Sequence, residues 1–437
     1  MANIEDLKKY KHIYMIGIGG VSMSGIAEIL HNWGFIVTGY DMTSSEITDK
    51  LMENGIKITT DHSLSDVNTA DLVVYTAAAK QDDPELVEAR NLGIPTIERC
   101  DFVGYLTRVY QNTIGISGTH GKTTTTSMIS LCFLEAGLDP TIQVGAILKD
   151  IGGNYRVGKS PYFIEACEYV ESFLKFSPKA EVILNIDNDH LDYFKNFENI
   201  KNAFIKYVKI LPDNGLLVVN GDDINCLDLI SHTKAKALTY GITNKNTDFF
   251  ATNIVFDENG FASFDVYSKD KFYGRIALHI PGMHNVLNAL ATIALCSEYG
   301  IKYEFVQSAL NKFTGAHRRF EFVGKYHDSS IYDDYGHHPT EIVATAKALM
   351  NKTYHQSWVI FQPHTYSRTK NLLEDFAKAL LNFDHIIVTD IYAARETNTF
   401  NISSLDLVNH INTFNDKAIY MKDFQDIANY IRENVKE

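Results

Sequence analysis

The chain has 437 residues, 45% of them hydrophobic and 22% charged, which is globular composition with length for about two to four domains. A formal net charge of -14 excludes a global basic surface for nucleic acid, while leaving room for phosphate sites built from loops and helix N-termini. Five widely spaced cysteines without a C-x-x-C exclude a disulfide framework and a cysteine zinc site, and they predict a reducing, cytoplasmic compartment.

The opening run "MANIEDLKKYKHIYMIGIGG" has only a short apolar stretch broken by glycines, so it reads as neither a signal peptide nor a membrane span. "HIYMIGI" then predicts a strand, "SMSGIAEILHNW" a helix, and "FIVTGYD" and "DLVVYTA" further strands. A helix near Asp83–Asn91 and a strand at "IPTIE" follow. Such alternation implies βαβ units and a mostly parallel sheet. The loop after the first strand places Gly17 and Gly19 at the first two positions of G-x-G-x-x-G, with Ser22 at the third and Asp41 ending the next strand. That pattern serves either a nucleotide, with Asp41 as the ribose acid, or close helix packing.

A second α/β block begins at "NTIGIS". The helix "KTTTTSMISLCFLEAG", the strands "YFIEA" and "EVILNI", the helix "FENIKNAFIKYVKIL" and the strand "GLLVVNG" follow. "GISGTHGKTTTT" (Gly115–Thr126) departs from the usual phosphate loop, G-x-x-x-x-G-K-[ST], because Ile116 stands where the first glycine belongs. A strand, a glycine turn and a helix N-terminus still make an anion site, with Lys122 reaching the outer phosphates and the Thr123 hydroxyl reaching Mg²⁺. Glu165 in "FIEACE" and His190 in "NIDNDHLD" end the neighbouring strands, where ligands bind in open α/β sheets. Both could approach the Lys122 loop and hold the metal, although Mg²⁺ takes oxygen ligands in most sites.

From Phe249 to Ile280, alternating residues and the turn Asp257–Gly260 predict an antiparallel patch before the helix "HNVLNALATIALCSEYG". Asn285 and Asn288 share a face of that helix and serve either an adenine or ribose edge or the helix start. A third βα alternation follows Arg318-Arg319. Its strands are "SSIYDDY", "SWVIFQP" and "HIIVTDI", and its helices "PTEIVATAKALM", "RTKNLLEDFAKALL" and "DFQDIANYIREN". Its polar loops carry His337, His338, His364 and Arg368. The fold expected is α/β in three domains. Residues 1–110 form a Rossmann-like domain, 111–315 a central P-loop ATPase-like domain with the antiparallel patch, and 316–437 a second Rossmann-like domain.

"GIGGVSMSG", "GTHGKTTTT", "NIDNDHLD", "GMHNVLNA", "RRF", "DDYGHHPTEI" and "FQPHTYSRTK", in this order over essentially the whole chain, resemble the Mur ligase family. The resemblance implies an ATP-dependent amide ligase of peptidoglycan precursor synthesis, in which a carboxylate is activated as an acyl phosphate. "DDYGHHPTE" with "FQPH" is similar to the branch that joins L-alanine to UDP-N-acetylmuramate. A ligase adding a whole peptide to the same sugar nucleotide in wall recycling would show the same loops. An NAD-dependent oxidoreductase built on Gly17–Asp41 would leave the Lys122 loop without a use.

Carried over by motif, Gly118, Thr119, His120, Gly121, Lys122, Thr123 and Thr124 would bind ATP, with Asn285, Asn288, Arg319 and Asp334. Lys122, His190, Glu165 and Arg319 would be catalytic, and Thr123, Glu165 and His190 would hold Mg²⁺. Gly17, Gly19, Gly20, Ser22, Asp41, His62 and Thr76 would face the UDP part of the substrate, and His120 the muramoyl carboxylate. His337, His364 and Arg368 would face the amino acid, the Arg368 fork pairing with its carboxylate. The resemblance implies a monomer or homodimer, with no nucleic acid and no membrane insertion. Two departures stand out: "EACEYVES" replaces an Asp-Glu-Ser run after the catalytic Glu, and Thr365 stands where arginine is expected. Lys201 and Lys206 follow His190, but neither matches the family's carbamylated lysine.

Overall fold

The computed structural model describes residues 6–394 and 396–435. Its first sheet sets five parallel strands in the order Lys57–Thr59, Ile36–Tyr40, His12–Ile16, Leu72–Tyr75 and Thr96–Glu98. His12–Ile16 is central and wholly buried, which its unbroken apolar run requires. The strand order reverses beside it. The loop Gly17–Gly20 therefore opens at a topological switch point, where α/β sheets take their ligands. The helix Val21–Asn32 starts there with Gly20 as its cap and no side chain on its first N–H groups.

The second sheet has ten strands. Five consecutive members are parallel: Leu216–Asn220, Ala180–Ile183, Thr113–Ser117, Tyr162–Glu165 and Thr141–Leu148. Thr113–Ser117 is again buried along its length and again lies at the reversal. Lys236–Gly241 continues one side and leads to the antiparallel strands Phe249–Phe256, Phe261–Ser268 and Lys271–Pro281. The patch expected from the alternating pattern is thus the far wing of the same sheet. The helices Lys122–Glu135 and Met283–Glu298 bury Ile129, Phe133, Val286 and Leu290 in one apolar cluster against it.

The third sheet holds Trp358–Phe361, His385–Val388 and Ala418–Tyr420, all parallel. Two expectations are corrected here. Ser329–Asp333, within "SSIYDDY", pairs antiparallel with Glu321–Tyr326 in a separate hairpin rather than joining the parallel sheet. "RTKNLLEDFAKALL" forms two helices, Tyr366–Asn371 and Leu373–Leu380. The break falls at Leu372, whose φ of −114° leaves the helical region.

The two seams between these units differ. One apolar cluster runs from Met23 and Ile26 through Phe102 to Ile164, Phe204 and Tyr207, welding the first sheet to the second. The third unit packs Ile342, Phe361, Phe376 and Ile386 in a cluster of its own. Polar contacts make much of its connection to the middle unit, and the turn at residues 118–122 lies at that seam. All five cysteines are free thiols, and no helix among the described residues is long and apolar enough to cross a membrane.

Candidate active site

The turn between Ser117 and Lys122 is shaped by two left-handed glycines. Gly118 has φ +131°, and a Cβ there would lie 3.1 Å from the Asn185 backbone. Gly121 has φ +87°, and its Cβ would lie 2.8 Å from Asn288 Oδ1. Only glycine gives this approach without strain. The helix Lys122–Glu135 starts directly after it, capped by no side chain. Its first N–H groups are thus available to an anion, with the helix dipole adding to the field.

Lys122 Nζ donates to the carbonyls of Gly118 and Thr119 and pairs with Glu168 at 3.1 Å. Burial alone would lower its pKa, but Glu168, with Cys167 and Glu165 nearby, outweighs it and the net direction is up. Glu168 is 2% exposed and was missed by sequence reasoning. The signal was the second acid of "EACE", obscured because an Asp-Glu-Ser run was sought. Thr123 Oγ1 donates to Glu165 Oε2 at 3.1 Å, and Glu165 also accepts the Gly145 N–H. This hydroxyl and carboxylate are hard oxygen donors suited to Mg²⁺.

His190 does not join that pair. Its ring lies against Tyr169 and 3.7 Å from Asp189, and no hydrogen bond or ion pair links it to Glu165 among the described residues. Burial is the largest influence on it and holds its pKa below the usual value, so it is a neutral ring at pH 7. Asn288 donates to Asn285 Oδ1 at 3.0 Å, and Asn285 donates to the Pro281 carbonyl at 2.7 Å. The two side chains thus form a buried unit under Gly121.

The third unit closes over this loop. Arg319 Nη2 comes to 3.5 Å from Thr123 Oγ1 and lies over the Tyr335 ring. Asp334 accepts from Thr345 and from Gly336 N–H at 3.3 Å, and burial raises its pKa. His120 reaches Asp187 at 3.1 Å and Glu341, from the helix Pro339–Met350, at 3.3 Å. Burial would lower its pKa, yet these two carboxylates push it up to about 9. The ring is therefore an imidazolium bridging two units. Thr340 Oγ1 also donates to Asp187 at 2.7 Å, and His338 Nε2 meets the Asn188 carbonyl at 2.9 Å.

Farther along the seam, a cavity of 360 Å³ is lined by Asp189, His190, His364, Thr365, Ser367 and Arg368, among others. Arg368 is paired with Asp189 at 3.0 Å and also donates to His364 Nδ1 at 3.1 Å. That bond makes Nδ1 an acceptor, so His364 is neutral, in keeping with a pKa lowered to about 4 first by burial and then by Arg368. His337 lies tilted beside His364, with ring centres 5.5 Å apart, and its Nδ1 meets the Tyr335 carbonyl at 2.8 Å. A carbonyl only accepts, so Nδ1 carries the proton and Nε2 keeps the lone pair.

The first glycine loop forms a separate site across the welded seam. A Cβ at Gly17 would lie 2.6 Å from Thr76, and one at Gly19 would lie 2.9 Å from Asp41 Oδ2. Asp41 accepts the Gly19 N–H at 2.8 Å, so it shapes the loop as well as facing it. His62 stacks on Tyr40 beside a cavity of 480 Å³ lined also by Thr43, Thr48 and Asp61. Ser22 faces the other way: its hydroxyl accepts from Gln143 at 2.9 Å, and Asn154 donates to the Val21 carbonyl at 2.6 Å. The structure thus gathers Gly17, Gly19, Gly20, Asp41 and Thr76 at one sheet end and turns Ser22 to the interdomain contact.

Three family models match the chain in order: "Mur ligase family, catalytic domain" over residues 12–111, "Mur ligase middle domain" over 116–296, and "Mur ligase, glutamate ligase domain" over 318–437. A UDP-N-acetylmuramate–L-alanine ligase of Acetivibrio thermocellus is 50% identical over 99% of this chain and 92% of its own length. The same-named protein of Caldanaerobacter subterraneus is 48% identical over 99% and 94%. Among solved structures, UDP-N-acetylmuramate-alanine ligase from Thermotoga maritima superposes with a TM-score of 0.81 at 28% identity, covering 98% of this chain and 93% of that one. The family models and these relatives define an ATP-dependent ligase that forms amide bonds. The chain belongs to the Mur ligase family.

Proposed function

We propose that this chain joins L-alanine to the carboxylate of UDP-N-acetylmuramate at the expense of ATP, in the synthesis of peptidoglycan precursors in the cytoplasm. The observation that carries the reading is the convergence at one seam of the Lys122 phosphate loop, Arg319 from the next unit and the Arg368 cavity. The division at residues 1–110, 111–315 and 316–437 is part of the proposal, as are the roles of individual residues.

A carboxylate is a poor acceptor for an amine. Its oxygen attacks the γ-phosphorus, the bond to the bridging oxygen breaks and ADP leaves. The alanine nitrogen then attacks the acyl carbon, and phosphate departs with the C–O bond. Two anions must meet in the first step, so fixed positive charge is needed where charge accumulates. Lys122 supplies it from the loop and Arg319 from the facing unit. Asn285 and Asn288 hold the adenine side, and Asp334 the ribose. The imidazolium of His120 attracts the muramoyl carboxylate. Gly17, Gly19, Gly20 and Asp41 hold the uridine diphosphate, with Thr76 and His62 at the rim. Thr123 and Glu165 would hold Mg²⁺, with His190 as a further candidate ligand that contacts neither among the described residues, and the ion when bound would neutralise phosphate charge. The Arg368 fork holds the alanine carboxylate, and His337 Nε2 is an acceptor for the amine proton.

A peptide-adding ligase is the rival reading, since a murein peptide ligase from Psychrobacter arcticus shares the fold with a TM-score of 0.72. The names of the relatives at 48–50% identity favour alanine. Product analysis after incubation with ATP, UDP-N-acetylmuramate and either alanine or a tripeptide separates the two.

A further inference from the structure

We infer that Asp189 is a positioning residue for the amino-acid clamp: its carboxylate reaches across the seam between the middle and third units and holds the Arg368 guanidinium in the orientation that receives the incoming carboxylate. The inference rests on reading Arg368 as that clamp.

Asp189 Oδ1 accepts from Arg368 Nε at 3.2 Å and from Nη2 at 3.0 Å. The side chains are 9% and 10% exposed, so the pair is nearly closed to water. Arg368 Nη1 turns to His364 Nδ1 at 3.1 Å. A guanidinium carries five N–H groups in a rigid plane. The two neighbours fix that plane and leave the remaining N–H groups for a substrate carboxylate in the cavity.

Both ends of the pair are themselves held. Asp189 Oδ1 also accepts the His190 N–H at 2.7 Å, and His190 takes the left-handed conformation that aims this turn across the seam. On the other side, Thr365 has φ +66°, an uncommon value for a β-branched residue, and its N–H is tied to the Tyr392 carbonyl at 2.9 Å. Ser367 N–H is fixed by Glu396 at 2.8 Å. The strained turn at Thr365 and the Asp189 contact together aim the guanidinium.

Steady-state kinetics of the full chain, with alanine and ATP varied separately, test this in Asp189→Asn, Arg368→Ala and the double variant. Asp189→Asn should raise the alanine KM about tenfold or more while the ATP constant stays close to its starting value. The double variant should be no worse for alanine than Arg368→Ala alone, because the contact acts only through that arginine. Should Asp189→Asn not fold, Asp189→Glu keeps the charge one methylene away and should raise the alanine KM in the same direction by less. An unchanged alanine KM in Arg368→Ala defeats the clamp reading itself. A raised constant in Arg368→Ala, with an unchanged or lowered one in Asp189→Asn or fully additive losses in the double variant, defeats the positioning role alone.

Discussion

Replacing Lys122 by alanine should change two quantities at once, the stability carried by its pair with Glu168 and the turnover proposed for the loop. Lys122 is the part-buried partner of Glu168, which is 2% exposed. Removing the lysine leaves that buried carboxylate unpaired, a loss at the low end of the about 3–5 kcal/mol of a broken buried pair, since the lysine itself is part-exposed. Against a total stability of about 5–15 kcal/mol this is a large share, so the single variant should melt well below the parent. The catalytic loss is distinct. Charge that meets the crowded phosphates only in the transition state is worth roughly a hundredfold or more in turnover. Lys122→Ala combined with Glu168→Gln removes the orphaned charge. It should recover most of the melting temperature and none of the turnover. Glu168→Gln alone is the control for the altered carboxyl. Thermal melts and phosphate release with ATP, alanine and UDP-N-acetylmuramate read the two quantities. Near-normal turnover in a folded Lys122→Ala/Glu168→Gln protein would refute the assignment of the loop to ATP.

At the first glycine loop, Gly19→Val should abolish sugar-nucleotide binding and spare ATP, because its Cβ would come within 2.9 Å of Asp41 Oδ2 and 2.7 Å of Thr48 Cγ2. Calorimetry with each nucleotide checks this, and the opposite pattern would mean that the two loops have been interchanged. At the polar seam, His120 has a folded pKa of about 9 against an ordinary 6.5, through Asp187 and Glu341 with the His338 ring alongside. A raised histidine stabilises the closed arrangement fully below the unfolded value, and that contribution is lost as pH rises through about 9. The shift corresponds to about 3 kcal/mol. Melting temperature should therefore fall from about pH 6.5 to 9 in the parent and less in His120→Gln; equal slopes would remove His120 from the explanation.

The turn between Ser117 and Lys122 was legible because its pattern is local: a strand, two glycines, a lysine and a helix within a dozen residues. Glu165, ending an adjacent strand, was legible for the same reason, as was the antiparallel wing from its alternating pattern. What stayed hidden depends on how the units meet. Asp187, Asp189, Thr340 and Glu341 read as ordinary polar residues, and only the seam brings them to His120 and Arg368 from far along the chain. Ser22 fitted a nucleotide fingerprint by spacing, yet its hydroxyl is taken by Gln143. The break at Leu372 was invisible because neither proline nor glycine marks it. The hairpin Glu321–Tyr326 with Ser329–Asp333 was missed because strand character alone does not specify a partner.

The central claim is that one seam carries ATP activation of a muramoyl carboxylate and its capture by a small amino acid. The direct measurement is phosphate release from ATP with Mg²⁺ and UDP-N-acetylmuramate across a panel of amino acids and a tripeptide, with the product weighed by mass spectrometry. The account predicts release that depends on both the sugar nucleotide and L-alanine, and a product heavier than the sugar nucleotide by one alanine residue. Release with the tripeptide but not with alanine, or ATP binding without release under any combination, would contradict it.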